Sequence, residues 1–269
     1  MKSTEESVRS AIAYSCYFKQ SRDGEHFVPT HTLTYQMAGS LVLSNGVKQF
    51  ASQEGSFRLV RRNQLLKFTK YPPVNGEYQS FSFYFDQPFL RDFSNEFNVT
   101  ASETFRGDPV ITLSLNAILK SYLDSLMVYH QTDNLGNPQL VNLKLKEGLL
   151  LLLQSQPELK NILFDFVEPH KMDLEAFMNK NYYFNVRLER FAYLTGRSLA
   201  TFKRDFEKIF QTSPHRWLLQ RRLQEAHFLL EQKQRKASEI YLDLGFEDLS
   251  HFSYAFKKQY GEAPSKLMR

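Results

Sequence analysis

The chain has 269 residues, of which 42% are hydrophobic and 23% charged, and its formal net charge at pH 7 is +5. This length exceeds the usual single-domain size and the composition is that of a globular protein, so we expect two folded domains and exclude a disordered chain. The single Cys16 excludes an internal disulfide and fits a reducing compartment. The longest apolar run, 149–153, is too short to span a bilayer, and the polar residues 1–10 predict no secretion signal. We therefore expect a cytoplasmic protein.

The positive charge is concentrated at the C-terminal end. Residues 170–269 hold 18 Lys and Arg against 12 Asp and Glu, whereas residues 1–169 hold 16 against 17. A local excess of this kind attracts polyanions and speeds association with nucleic acid. Charge alone leaves a second interpretation open, in which the excess only keeps the protein in solution.

Residues 30–85 have the short alternating runs of β-strands, separated by the turn sequences 44–46 and 75–76. In the last run Phe81, Phe83 and Phe85 alternate with smaller or more polar residues, which places the three rings on one face of a strand. We expect that face to line the core of a β-barrel or sandwich.

After Pro109 the apolar period changes to about 3.6 residues, which predicts helices at about 111–130 and 140–154. Their Leu-rich faces either pack on the barrel or seat a second subunit, giving a homodimer, and the sequence leaves both open. Residues 155–172 contain two prolines and predict a connection between domains. We place the boundary near 168.

The basic region contains two copies of one unit, related by an offset of 50 residues. In each copy aromatic residues recur every four positions, which predicts a buried stripe on a helix. Ser198 and Asp248 stand where they can cap these helices, shortly after a glycine. We therefore predict two helix-turn-helix units with recognition helices at about 198–210 and 248–260, joined by a linker helix from Pro214 to about Gln232. The aromatic positions are Phe202, Phe206 and Phe210 in the first copy and Phe252, Phe256 and Tyr260 in the second.

A helix about 10 to 12 Å wide fits the major groove of DNA, so we expect the second helix of each unit to read the bases. Arg204 suits a bidentate contact to guanine, whereas Lys208, Lys257 and Lys258 suit phosphate. The alternative is that these side chains only form solvated faces.

The sequence of this region resembles a known family. Residues 240–267 read IYLDLGFEDLSHFSYAFKKQYGEAPSKL, which closely resembles the second unit of AraC/XylS-family regulators with its Gly-Phe, Ser-x-Phe, Phe-Lys-Lys, Gly and Pro. Residues 188–226, with FAYLTGRSLATFKRDFEKIF and RRLQEA, are similar to the first unit and the linker helix. The resemblance covers about 173–269. It implies a bacterial, sequence-specific transcription factor that binds promoter DNA and contacts RNA polymerase, as an activator rather than a repressor.

By the same resemblance, residues of the two recognition helices contact bases. Two residues depart from the family pattern: Tyr241 stands where Ala is usual, and Tyr254 stands where Arg is common, so the second unit is expected to bind DNA more weakly or with different specificity. The implied base contacts are Ala200, Lys203, Arg204, Ser250, His251 and Tyr254, and the expected phosphate contacts are Arg197, Thr201, Lys208, Ser253, Lys257 and Lys258.

The strand-rich first part followed by two helices is similar to the cupin-like sensing and dimerisation domain of this family. The expected fold class is therefore α+β, with a cupin-like β-barrel and two flanking helices at 1–168 and an all-α DNA-binding domain at 169–269. A small molecule or a protein is the expected effector of the first domain.

A metal-dependent cupin enzyme is the rival class, because Glu25, His26 and His31 lie near the start of the strand region. Metal cupins need a further His on a later strand, and the next one, His130, falls in a predicted helix. The N-terminal half also lacks a Gly-rich phosphate loop, a GxSxG motif and a plausible Cys/His pair. We therefore expect no catalytic residue, metal or cofactor.

Four basic residues of the strand region have two possible roles. They either contact an anionic ligand or, as is more usual, point outward from strands. These residues are Arg61, Arg62, Lys67 and Lys70.

Overall fold

A computed structural model describes residues 11–22 and 26–267 of the chain. The chain divides into two compact units. The first unit comprises Met1–Gly24 and Val28–Val167, and the second comprises Glu25–Phe27 and Glu168–Arg269. Within the described ranges, no helix combines the length and the apolar character that crossing a membrane requires.

The strands of the two larger sheets pair in antiparallel fashion. The larger sheet has five strands in the order β1-β9-β3-β6-β10, a smaller sheet has the order β5-β4-β8, and β2 and β7 form a short separate pair. The strands are β1 (Ile12–Tyr17), β2 (Phe27–Val28), β3 (His31–Ala38), β4 (Ser40–Ser44), β5 (Gln49–Ser52), β6 (Phe57–Val60), β7 (Gln64–Leu65), β8 (Lys67–Tyr71), β9 (Tyr78–Phe85) and β10 (Val110–Leu113).

The prediction of a closed β-barrel is wrong for the described residues. Among the described residues, the five-stranded sheet ends at β1 and β10 and the three-stranded sheet ends at β5 and β8. An isolated bridge joins Ser21, after β1, to Lys70 of β8, but it does not extend into a ladder. A barrel requires every strand to have a hydrogen-bonded neighbour on both sides. The α+β class remains, with open sheets in place of the barrel.

The rings of Phe81, Phe83 and Phe85 are buried, as predicted, but on the face of the sheet that carries the helices. They pack in one core with Leu90 of the first helix and Leu119 of the second. Because side chains alternate along a strand, the neighbouring residues of β9 point to the opposite face. That second face contains buried polar groups that the sequence pattern did not reveal.

The helices of the first unit cover the five-stranded sheet and are joined to it by the apolar core. The predicted helix at 111–130 begins later than expected, because residues 110–113 form β10 and Asn116 caps the helix by accepting from the Leu119 backbone N–H. The helix predicted at 140–154 matches closely. The observed helices are α1 (Gln87–Phe97), α2 (Ala117–Gln131), α3 (Pro138–Ser155) and α4 (Lys160–Leu163).

Most of the predicted connection at 155–172 belongs to the first unit. A 3-10 turn at Pro157–Leu159 leads into α4, and Ile162 and Leu163 are buried in the core. Residues 165–167, which follow α4, are held by Arg62, because its Nη2 donates to the carbonyls of Asp165 and Val167. The side chain of Arg62 is buried, so the expectation that it points outward is wrong.

The second unit is helical. Its helices are α5 (Leu174–Asn181), α6 (Leu188–Leu194), α7 (Leu199–Phe210), α8 (Pro214–Glu231), α9 (Ala237–Ile240) and α10 (Leu249–Tyr260). The predicted recognition helices correspond to α7 and α10, and the predicted linker helix corresponds to α8. The first helix of the second copy, α9, ends at Ile240, and the chain continues as hydrogen-bonded turns.

Candidate nucleic-acid interface

The helices α7 and α10 begin at side-chain caps, as predicted. The Ser198 hydroxyl accepts from the Thr201 backbone N–H at 3.2 Å, and the Asp248 carboxylate accepts from the His251 N–H at 2.6 Å. An N-cap satisfies a backbone donor that has no partner inside the helix. Each cap therefore sets the residue at which its helix starts, and with it the face that each later side chain occupies.

The aromatic stripes of α7 and α10 pack against opposite ends of α8. Near its start, the Trp217 ring centroid lies 4.6 Å from that of Phe210. Near its end, the His227 ring centroid lies 4.6 Å from that of Tyr260. Phe206 and Phe256, the central members of the stripes, are fully buried. Since each stripe is fixed on α8, the opposite faces of α7 and α10 are held towards solvent.

Glycines shape both helix-turn-helix turns. Gly196 and Gly245 have φ angles of +64° and +84°, a region that side chains with a Cβ rarely adopt. A Cβ at Gly196 would lie 2.3 Å from the carbonyl carbon of His170, and one at Gly245 would lie 2.8 Å from the carbonyl oxygen of Tyr183. Both turns therefore require glycine for the backbone conformation and for space.

All six side chains expected to contact bases are exposed on the solvent faces of α7 and α10. Tyr254 is 69% exposed, which is unusual for so large a ring. The outward members are Ala200, Lys203, Arg204, Ser250, His251 and Tyr254.

The side chains expected to contact phosphate fall into two groups. Lys208, Lys257 and Lys258 are exposed in the last turns of their helices, where cations also interact favourably with the helix dipole. Thr201 and Ser253 are partly buried, and the Thr201 hydroxyl accepts from that of Ser198. The lysines form the positive margin of the surface, and the hydroxyl residues lie closer to the helix core.

Comparison with known proteins agrees with this geometry. Residues 31–162 match the family model described as the ExsA N-terminal regulatory domain, and residues 191–269 match a helix-turn-helix domain. The chain belongs to the AraC/XylS family of transcriptional regulators. It is thus a DNA-binding regulator with an N-terminal regulatory domain, and its family is one of transcription factors, not enzymes.

Relatives of this AraC/XylS regulator match most of its length. The HTH-type transcriptional regulator ExsA of Pseudomonas aeruginosa is 26% identical over 245 residues, which are 86% of this chain and 83% of that protein. The virulence regulon transcriptional activator VirF of Yersinia enterocolitica is 28% identical over 187 residues, 66% of this chain and 68% of that protein. A solved structure of ToxT from Vibrio cholerae aligns with a TM-score of 0.41 at 13% identity, covering 96% of this chain and 98% of that one.

Arg197 is held within the turn between α6 and α7, in the first helix-turn-helix unit. Its Nε lies 3.1 Å from the Asp205 carboxylate, its Nη1 donates to the carbonyls of Met172 and Thr195, and its side chain is only 7% exposed. The bond from Arg197 holds the pKa of the Asp205 carboxyl below its usual range. In this arrangement Arg197 stabilises the turn that carries α7.

Arg222 is a structural residue that sequence reasoning missed. It lies in the middle of α8, and its three nitrogens donate to the carbonyls of Tyr182, Phe184 and Gly245, each at 2.8 Å. Burial lowers the pKa of its guanidinium to about 10. The only sequence signal was its position in the RRLQEA stretch, which does not name the acceptors.

The two histidines weighed as metal ligands have other contacts. His26 Nδ1 accepts from the Asn185 backbone N–H at 3.1 Å, and His31 Nδ1 accepts from the Arg62 N–H at 3.4 Å. Burial, together with the nearby charges of Arg62 and Arg61, lowers the pKa of His31 to about 3. Among residues 11–22 and 26–267, no three His, Cys, Asp or Glu side chains are grouped so that they could hold a metal ion.

Proposed function

We propose that this regulator activates transcription by inserting α7 and α10 into successive major grooves on one side of promoter DNA. The observation that carries the proposal is the exposure of all six expected base-contacting residues on two helices whose aromatic stripes are buried against α8. The 18 residues of α8 span about 27 Å. Successive major grooves are about 34 Å apart, so a spacer of this length plus the widths of the two units suits a span of two grooves.

In this proposal the two recognition helices read bases by different chemistry. Arg204 and Lys203 donate to guanine O6 and N7, because cations with several donors match that pair of acceptors. Ser250, His251 and Tyr254 offer single hydrogen bonds, so the second helix contributes less discrimination. The base contacts are completed by Ala200, whose methyl group suits the methyl of thymine.

Phosphate contacts would hold the two helices in register on the duplex. Lys208, Lys257 and Lys258 serve this role through their charge, and Thr201 and Ser253 through hydrogen bonds. Arg197 contributes a phosphate contact only by giving up its bonds within the turn.

The first domain, 1–168, would regulate this binding through a small molecule, a protein effector or self-association. Self-association is supported by exposed apolar side chains on both helices proposed for a homodimer, Ile118 and Val128 on α2 and Leu143 on α3. Activation through contact with RNA polymerase, in the cytoplasm, is supported by the family membership and by the name of the relative VirF, which is an activator.

Selection of bound sites from random duplex DNA, followed by hydroxyl-radical footprinting with the full chain, tests the proposal. We expect two protected stretches one helical turn apart on one face of the duplex. Alanine at both Lys203 and Arg204 should abolish protection of one stretch, and alanine at both His251 and Tyr254 should abolish protection of the other. A matched control is Lys180→Ala, which removes an exposed cation from α5. Protection of a single groove, or loss of both stretches in each double variant, would refute the paired arrangement.

A further inference from the structure

The face of the five-stranded sheet that points away from the helices carries a band of buried polar side chains. Thr34 is the register partner of both Arg58 and Ser82, so these three residues lie side by side across β6, β3 and β9. Gln36 and Ser80 form the next pair across β3 and β9. None of the five is more than 8% exposed. Polar groups are uncommon in the interior of a sheet and are normally fully hydrogen-bonded there.

Arg58 is the charged member of this band. Its Nη1 donates to the Ser52 hydroxyl at 2.8 Å and lies 3.4 Å from the Gln36 side-chain oxygen. Its guanidinium also bonds the Tyr78 hydroxyl. The Arg58 Nε is buried and has no acceptor. Arg58 therefore reaches from the five-stranded sheet to Ser52 on β5 of the smaller sheet with one donor unused.

No carboxylate of the residues that the structure describes forms an ion pair with Arg58. Its partners, the side chains of Gln36, Ser52 and Tyr78, are all neutral. A buried cation without a compensating anion is strongly disfavoured, and burial accordingly lowers the pKa of Arg58. The first unit thus retains a positive charge, with one free donor, beside hydroxyl and amide groups and the buried apolar cluster that joins the two sheets. That cluster consists of Leu41, Leu43, Val60, Leu66, Tyr78 and Val110.

We propose that Arg58 anchors a site for a small hydrophilic carboxylate between the two sheets of the first unit. The carboxylate accepts a charge-assisted hydrogen bond from the Nε–H, the donor that Gln36, Ser52 and Tyr78 leave unused. The surrounding Thr34, Ser80 and Ser82 hydroxyls favour a ligand with further polar groups and disfavour a long alkyl chain. Binding of the carboxylate at Arg58 does not require DNA. A role of that binding in regulating transcription rests on the proposed function.

The direct test is NMR of the full chain labelled with nitrogen-15 in its arginine side chains. The Arg58 Nε–H signal is assigned by its absence in Arg58→Lys. Acetate, lactate, succinate and citrate are titrated at constant ionic strength against sodium chloride. We expect at least one of them to shift the Arg58 signal saturably while the Arg91 signal on α1 stays in place. If none of the four carboxylates moves the Arg58 signal beyond the chloride control, the proposal is wrong.

Three further probes define the ligand class. Acetamide, a neutral analogue of acetate, is expected to leave the Arg58 signal unchanged. Inorganic phosphate and decanoate are expected to bind more weakly than the best small carboxylate. A stronger response to phosphate overturns the carboxylate assignment, and a stronger response to decanoate overturns the hydrophilic one.

Substitutions of Arg58 test whether this residue binds the carboxylate. In Arg58→Met the thermal stabilisation of the full chain by the best carboxylate should disappear, while Arg91→Met, which removes an exposed cation from the helical face, should retain it. If Arg58→Met does not fold, Arg58→Lys keeps the charge but lacks the Nε–H donor and should bind that carboxylate at least tenfold more weakly. Equal binding by Arg58→Lys and the parent would overturn the proposal. DNA footprints measured without carboxylate show separately whether the proposed function holds.

Discussion

The Arg222 guanidinium donates from Nη1 to the carbonyl of Gly245 across 2.8 Å, which ties the middle of the linker helix to the turn of the second helix-turn-helix unit. The other nitrogens of Arg222 bond the carbonyls of Tyr182 and Phe184, which precede α6 of the first helix-turn-helix unit. One side chain therefore satisfies carbonyls from both copies of the repeat. This places the relative position of α7 and α10 under the control of a residue that need not contact DNA.

We predict that Arg222→Met lowers the free energy of unfolding of the second unit by about 3 kcal/mol, because three carbonyls lose a charged donor. Unfolding can be followed by fluorescence of Trp217, the only tryptophan of the chain, which packs on Phe206 and Phe210. Arg216→Met, an exposed position on the same helix, serves as the control and should change stability little. Equal stability of the two variants would show that the Arg222 bonds contribute nothing net.

Replacing Arg204 with alanine should relax sequence preference at one position of the site. The side chain is 67% exposed and lies 3.9 Å from the Asp205 carboxylate, so it is free to move to a base. We expect a loss of about 1 to 3 kcal/mol on the preferred sequence and a smaller loss on others. Competition binding with a set of single-base variants measures this. A uniform loss across all sequences would assign Arg204 to phosphate instead.

Lys258→Ala should weaken binding to every duplex by a similar factor. Lys258 is exposed in the last turn of α10, where its charge can displace counterions from the DNA backbone. The slope of log K against log salt should fall by about one. The measurement is a salt titration of affinity on a preferred and an unrelated duplex, with Lys180→Ala as the matched control. An unchanged slope would place Lys258 away from the duplex.

The stability of the first unit should fall in mild acid because of His31. The pKa of His31 is about 3 in the folded protein, so below pH 6.5 the unfolded chain takes up a proton that the folded chain does not. The free energy of unfolding therefore decreases as pH falls, by about 2 kcal/mol between pH 6.5 and pH 5. Amide hydrogen exchange of β3 reports this in the full chain. His31→Gln should lack that part of the pH dependence, and an identical pH profile in the variant would contradict the assignment.

The helical half of this protein could be predicted in some detail. The caps Ser198 and Asp248, the aromatic stripes and the bounds of α7, α8 and α10 agree with the structure because each depends on residues within a few positions of one another. The strand half was less predictable. Residues 110–113 continue an apolar pattern that suggested a helix, yet they form β10 because β6 offers a free edge. Which segment pairs with which strand is not a local property.

The two repeats, their capped helices and the side chains on the outward faces could be predicted from local patterns, since helical periodicity and capping act over one or two turns. The contacts of Arg222 with both repeats, the burial of Arg58 in the first unit and the open sheets are seen only once the chain is folded. These depend on contacts between residues far apart in the chain, such as Arg222 with Tyr182. Nothing in the local pattern distinguishes such an arginine from one that faces solvent, because burial is decided by what the rest of the fold packs around it.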